Sequence, residues 1–153
     1  MRVLPALLIL ALASPVAAQA PAPRGAPASP LALPTGMSPL TQGAYRLTFR
    51  TGETALPPGT EPTLAEIGRR LNATTLPGLG RVTVEGHASG PASDVSAARR
   101  ISLSRATAVR DALVAGGMDA TRIDVRALGR TQAALDAADI LPPGVARRTG
   151  QQR

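Results

Sequence analysis

The sequence predicts an α/β fold, an α+β sandwich in which helices pack on one side of a small sheet. Three observations predict it. Tyr45, Leu47 and Phe49 alternate with polar neighbours, and the short apolar pairs Val82/Val84 and Ile123/Val125 punctuate the chain further on; alternation and short apolar runs mark strands. Between them lie segments whose apolar residues recur three and four apart, the period of a helix. The resulting order, strand-helix-strand-helix-strand, needs crossover connections, and crossovers lay helices against a sheet face.

The elements follow in chain order. Residues 1–20 read as a secretory signal: Arg2 gives the positive start, residues 4–13 an apolar run, and Ala18-Gln19-Ala20 a small-x-small cleavage site. The run is too short for a comfortable membrane span, and a retained, uncleaved signal is the alternative. Residues 21–43 are rich in Pro, Ala, Ser and Gly and read as a linker, which reaches roughly 60 Å if extended. Residues 44–149 are expected to fold. The alternating strand at Tyr45 ends before a Pro57-Pro58-Gly59 turn. Thr60 is placed to cap a helix that carries Pro62 in its first turn and Leu64, Ile67 and Leu71 on one face. A second strand holds Val82 and Val84. A long helix over about 96–115 turns Ala106, Val109 and Leu113 inward and stops at Gly116-Gly117. Ile123 and Val125 form a third strand. Residues 133–138 read as a short helix before Pro142-Pro143-Gly144, and residues 150–153 as a tail.

Charge narrows the partners. Seventeen basic residues, all arginine, face ten acids, for a net charge of +7, or +6 once Arg2 leaves with the signal. A basic exported protein expects an anionic neighbour, and arginine offers a fork suited to carboxylates and phosphates. The chain has no cysteine, so disulfides and lipidation at cysteine are both excluded. Membrane contact would come only through an uncleaved signal or a partner.

Most informative is the passage from the second strand into the long helix. It reads Val82-Thr83-Val84-Glu85-Gly86-His87, a polar loop through Asp94, and then a helix containing Ile101-Ser102-Leu103-Ser104-Arg105-Ala106. This resembles the L-S-x-x-R-A motif of the OmpA-like C-terminal domain family. The similarity runs from about Tyr45 to Arg148 and includes Val109 to Gly116 and Asp119 to Gly129. It implies a β-α-β-α-β domain with a small mixed sheet. It also implies non-covalent binding of peptidoglycan in the periplasm, at the cell wall or outer membrane, with envelope proteins as possible further partners.

In that family an acidic loop residue takes the ammonium of the stem's diaminopimelate, and the motif arginine takes its carboxylate. Paired opposite charges in a fixed fork suit a zwitterion. The resemblance therefore assigns the carboxylate to Arg105. Read without the motif, Arg105 would be a helix-surface arginine paired with an acid such as Asp111. Where the family has Thr-Asp, this chain has Ala88-Ser89, and Ser89 carries no charge. Asp94 or Ser89 is expected to complete the pocket, the alternative for Asp94 being a cap on the helix. Arg147 and Arg148 fit the arginine pair that opens the family's last strand, and one or the other is expected to supply charge at the pocket's rim; the residues after them do not continue an apolar strand, so that strand is expected to be short or missing. The rival reading is an adaptor module of the same fold with a degenerate pocket that docks to an envelope protein.

Other chemistries find little support. Glu85, His87 and Ser89 alternate along one strand, where same-face neighbours are about 6–7 Å apart, too far for a base and its nucleophile, so no enzyme is expected. One histidine without cysteine argues against a metal site. Gly78-Leu79-Gly80 precedes a strand instead of following one, and the absence of lysine excludes a Walker-type phosphate loop. No cofactor is expected. One Tyr, one Phe and no Trp leave no stacking platform for nucleic acid or sugar rings.

Overall fold

A computed structural model describes residues 30–75, 80–90 and 92–145. The expected signal, residues 21–29 of the expected linker, Gly78-Leu79 and the pair Arg147-Arg148 lie outside the described residues.

The folded unit begins at Leu31. Its elements are β1 (Met37–Pro39), β2 (Tyr45–Thr48), α1 (Glu61–Thr74), β3 (Val82–His87), α2 (Val95–Ala115), β4 (Ile123–Gly129) and β5 (Ala137–Leu141). The sheet runs β1-β2-β5-β3-β4. Only the β3–β4 pair is parallel, joined by α2; the other pairs are antiparallel. The sheet is therefore mixed, as the resemblance implied.

Two strands depart from the sequence reading. β1 lies inside the stretch read as linker. It buries Met37 and pairs it with Leu47, so the fold starts before residue 44. The larger correction is β5. The segment read as a short helix is a turn followed by a strand, and this strand lies between β2 and β3. The last strand is thus present, upstream of Arg147-Arg148, and opens on Ala137-Ala138 instead of on arginines. All five of its residues are buried. A strand covered on both faces needs no alternation, and burial overrides alanine's preference for helix.

The helices build the core on one face. Leu64, Ile67 and Leu71 of α1 and Ala106, Val109 and Leu113 of α2 join Leu47, Val82, Val84, Ala138 and Ile140 of the sheet. α2 lies almost on the backbone of β3: a Cβ at Gly86 would overlap the Ser102 carbonyl and crowd Ala106. At its far end Gly117, with φ +99°, lets its own N–H reach Val114 and that of Met118 reach Leu113, closing the helix. Thr60 begins α1 as expected, but its hydroxyl donates to the Pro57 carbonyl (2.7 Å) and makes no cap to the helix.

The opposite sheet face is polar. A row of cross-strand neighbours crosses it: Ser38, Arg46, Asp139, Glu85 and Arg126. Asp139 and Glu85, both buried, stand directly opposite each other. Like charges so placed repel, and each is neutralised from its outer side. Arg46 grips Asp139 with two bonds of 2.7 Å, and Arg126 reaches Glu85 at 2.8 Å. The bond to Asp139 raises the pKa of the Arg46 guanidinium further.

Candidate functional site

Three loops converge where β3 enters α2: residues 50–53 after β2, residues 88–90 after β3, and residues 130–136 between β4 and β5. Arg105 reaches this point from the middle of α2. Its face of the helix also carries Ser102, Ala106 and Val109, so the arginine is delivered into the interior, not onto the surface.

Arg105 is completely buried. Its Nε donates to the Glu53 carbonyl (2.7 Å) and its Nη2 to the Arg50 carbonyl (3.0 Å). Its Nη1 donates to the His87 carbonyl (2.8 Å) and to Asp136 Oδ1 (2.7 Å). Four of the five N–H donors of a guanidinium are thus engaged within the chain. The Phe49 ring lies under it, 5.1 Å from the guanidinium carbon, a cation–π contact. Asp111, the partner that a surface arginine would have taken, pairs with Arg110 instead.

Asp136 is the residue that sequence reasoning missed. Its Oδ1 also accepts from the Ser89 N–H (3.0 Å), and its Oδ2 accepts from the hydroxyls of Ser89 (2.5 Å) and Thr51 (2.9 Å). Ser89 thus lies at the site, where it holds a carboxylate supplied from the start of β5. The acid that the loop lacks at residue 89 is present in space. It lies 47 residues away in sequence, within a stretch that reads as helix.

Asp94 takes the other of its two expected roles. It caps α2, accepting from the Ala97 N–H at 2.8 Å, and is exposed. Arg147 and Arg148 lie outside the described residues. Ser89 and His87 do not form a catalytic pair: the Ser89 hydroxyl is bonded to Asp136, while His87 Nε2 faces Asp139 at 3.6 Å on the sheet's polar face. Among the described residues no cluster of three metal-binding side chains occurs, and no helix is long and apolar enough to cross a membrane.

The electrostatics of the site have a measurable consequence. Burial pushes the Asp136 carboxyl up. The bonds from the Ser89 N–H and hydroxyl, from Arg105 and from Thr51 outweigh this and hold it well below its ordinary value of 3.8. The native chain therefore takes up this proton less readily than the unfolded chain. The pair's contribution is complete above about pH 4 and is lost as pH falls further, on the order of 2 kcal/mol for a salt-bridged carboxylate. Urea midpoints measured from pH 6 to pH 2 should fall along an acid limb that Asp136→Asn flattens.

The architecture has counterparts among solved structures. The peptidoglycan-associated lipoprotein from Burkholderia pseudomallei is 16% identical, over 63% of this chain and 87% of its own, with TM-score 0.50. The cell wall anchor of the T6SS from Pseudomonas aeruginosa is 20% identical, over 65% and 80%, with TM-score 0.51. The periplasmic domain of Helicobacter pylori MotB is 13% identical, over 64% and 73%, with TM-score 0.52. At these identities the likeness is one of fold. No curated protein sequence matches the chain. The family model described as OmpA family matches residues 48–140. That span runs from the end of β2 through most of β5, takes in Arg105, Ser89 and Asp136, and covers more than half of the sequence, so the chain belongs to the OmpA family.

Proposed function

We propose that this chain holds peptidoglycan non-covalently in the bacterial envelope, as a binding module that catalyses no reaction. The observation that carries the reading is the Asp136–Arg105 pair where three loops meet, in a member of the OmpA family. The diaminopimelate end of a peptide stem presents an ammonium and a carboxylate on one carbon, so its site needs an acid and a cation side by side. Asp136 is the acid. Its side chain is 13% exposed, and two of its four donors are hydroxyls, which can rotate away when an ammonium arrives.

Arg105 works from beneath. Arg105 is completely buried, so a stem carboxylate could reach it only by displacing a group that covers it, such as Asp136. We therefore assign the carboxylate to Arg50, which is exposed beside Thr51 and whose own carbonyl anchors Arg105. Two of the solved neighbours are described as a peptidoglycan-associated lipoprotein and a cell wall anchor, which accords with this reading and with a periplasmic, wall-side location. The full burial of Arg105, with four of its five N–H donors engaged within the chain, favours a second reading: a site closed upon itself, in an adaptor that docks to an envelope protein.

Sedimentation with isolated sacculi separates the two. At physiological salt the purified chain should pellet, and a stem peptide containing diaminopimelate should compete. Asp136→Asn, which keeps the shape and removes the charge, should weaken pelleting about tenfold or more, the worth of a charged hydrogen bond. Pelleting that is absent, or indifferent to both Asp136→Asn and Arg50→Gln, would reject the stem-binding site and leave the adaptor.

A further inference from the structure

Three arginines that have no ion pair among the described residues lie close to the site. All ten acids of the chain lie among the described residues. Arg46, Arg50, Arg69, Arg70, Arg81, Arg105, Arg110 and Arg126 each face one of them. Arg99, Arg100 and Arg130 have no ion pair among the described residues. Arg99 and Arg100 leave the first turns of α2, and Arg130 follows the last residue of β4. Gly129 packs on the backbone of Arg99, where a Cβ would stand 3.4 Å from its Cα. The backbone of Arg130 therefore follows directly on a residue packed against Arg99, which brings the two arginines together where β4 ends against α2.

Arg130 also adjoins the site. Its Nη1 donates to the carbonyls of Ser89 (2.6 Å) and Gly90 (2.5 Å), the loop whose Ser89 holds Asp136. These are neutral acceptors, so the guanidinium's charge is left uncompensated. Asp94, the nearest acid along the helix, is engaged as its cap.

The flanks of Arg99 are apolar. Val95 and Leu103, 61% and 49% exposed, are the large hydrophobic side chains left open among the described residues. They stand four residues before and four after Arg99, so the three form one stripe of the helix. The surface beside the site thus reads apolar, cationic, apolar.

We propose that Arg99 and Arg130 form a second anion subsite that takes a further carboxylate of the same peptide stem, while Val95 and Leu103 receive its methyl side chains. This rests on the wall-binding reading and extends it along the ligand. A stem alternates alanine-sized side chains with free carboxylates, and the stripe offers contacts of that size and sign beside the loop that holds Asp136. Lipid headgroups share the anionic chemistry, but two short aliphatic side chains without an aromatic neighbour offer little to insert into a bilayer.

The test uses the purified chain and two synthetic probes: an alanyl-glutamyl-diaminopimelate stem with the glutamate α-carboxyl either free or amidated. Wild type should bind the free form about five- to tenfold more tightly, the sum of two partly exposed charge contacts. Arg99→Gln/Arg130→Gln should bind both forms alike, at the affinity wild type shows for the amide. Arg69→Gln/Arg81→Gln removes the same charge elsewhere and should keep the preference. Wild-type binding without any preference would overturn the subsite while leaving stem binding intact. No binding of either form would overturn both. A preference lost equally in both double variants would mean general charge attraction, and overturns the subsite. Cosedimentation with phosphatidylglycerol vesicles that depends on Arg99 and Arg130, with the stem preference unchanged in the Arg99→Gln/Arg130→Gln variant, would assign the surface to lipid instead.

Discussion

Arg105→Leu should destabilise the domain by about 3–5 kcal/mol, the cost of removing one partner of a buried ion pair. The substitution strands Asp136, whose remaining donors are Ser89 and Thr51. It also releases the carbonyls of Arg50, Glu53 and His87, which come from the segments after β2 and at the end of β3. Urea unfolding followed by circular dichroism measures the loss. Arg105→Lys should recover little, because one ammonium cannot span four acceptors arranged around a planar fork. Arg105→Leu/Asp136→Leu should be less unstable than Arg105→Leu alone, since the second change removes the stranded charge. A loss below about 1 kcal/mol for Arg105→Leu would place the arginine at the surface, and its role as the buried anchor of the three loops would fall.

Gly86→Ala is expected to cost more than about 3 kcal/mol, beyond the usual range for an added methylene. The new methyl would occupy the position of the Ser102 carbonyl oxygen and press on Ala106. The colliding atom belongs to a helix backbone, so no rotamer change relieves it; α2 must lift from β3. The Ser102 hydroxyl, which accepts the Gly129 N–H at 3.0 Å, and Arg105 would rise with it. A domain whose whole stability is of order 5–15 kcal/mol would lose a large part of it and melt well below wild type. Thermal melts of wild type and variant check this. An unchanged melting temperature would mean that the helix and strand are not in close contact.

How much of the fold is legible in the sequence differs by element. β2, α1, β3, α2 and β4 can be read because their apolar residues recur at the period of the element, so the hydrophobic pattern carries the structure. β1 and β5 cannot. β1 has three residues and lies in a stretch whose composition is that of a linker. β5 is buried on both faces, which removes alternation, and its Ala-Ala start carries a helical preference that its neighbours override. The site divides in the same way. Arg105 is legible because its partners in the motif are a few residues away on one helix. Asp136 is not, because only the arrival of β5 between β2 and β3 brings it to Ser89 and Arg105.

The sequence by itself determined that the chain is basic, free of cysteine, and built of strands joined by helical crossovers, with one arginine of special interest. These are properties of composition and of local period. The tertiary structure alone decided what that arginine does. A guanidinium on a helix is open to a ligand or closed by the protein according to what stands opposite it. Here a carboxylate from the start of β5, three carbonyls and one phenylalanine ring take that place, and the guanidinium charges that face no carboxylate among the described residues lie beside the site, on Arg99 and Arg130.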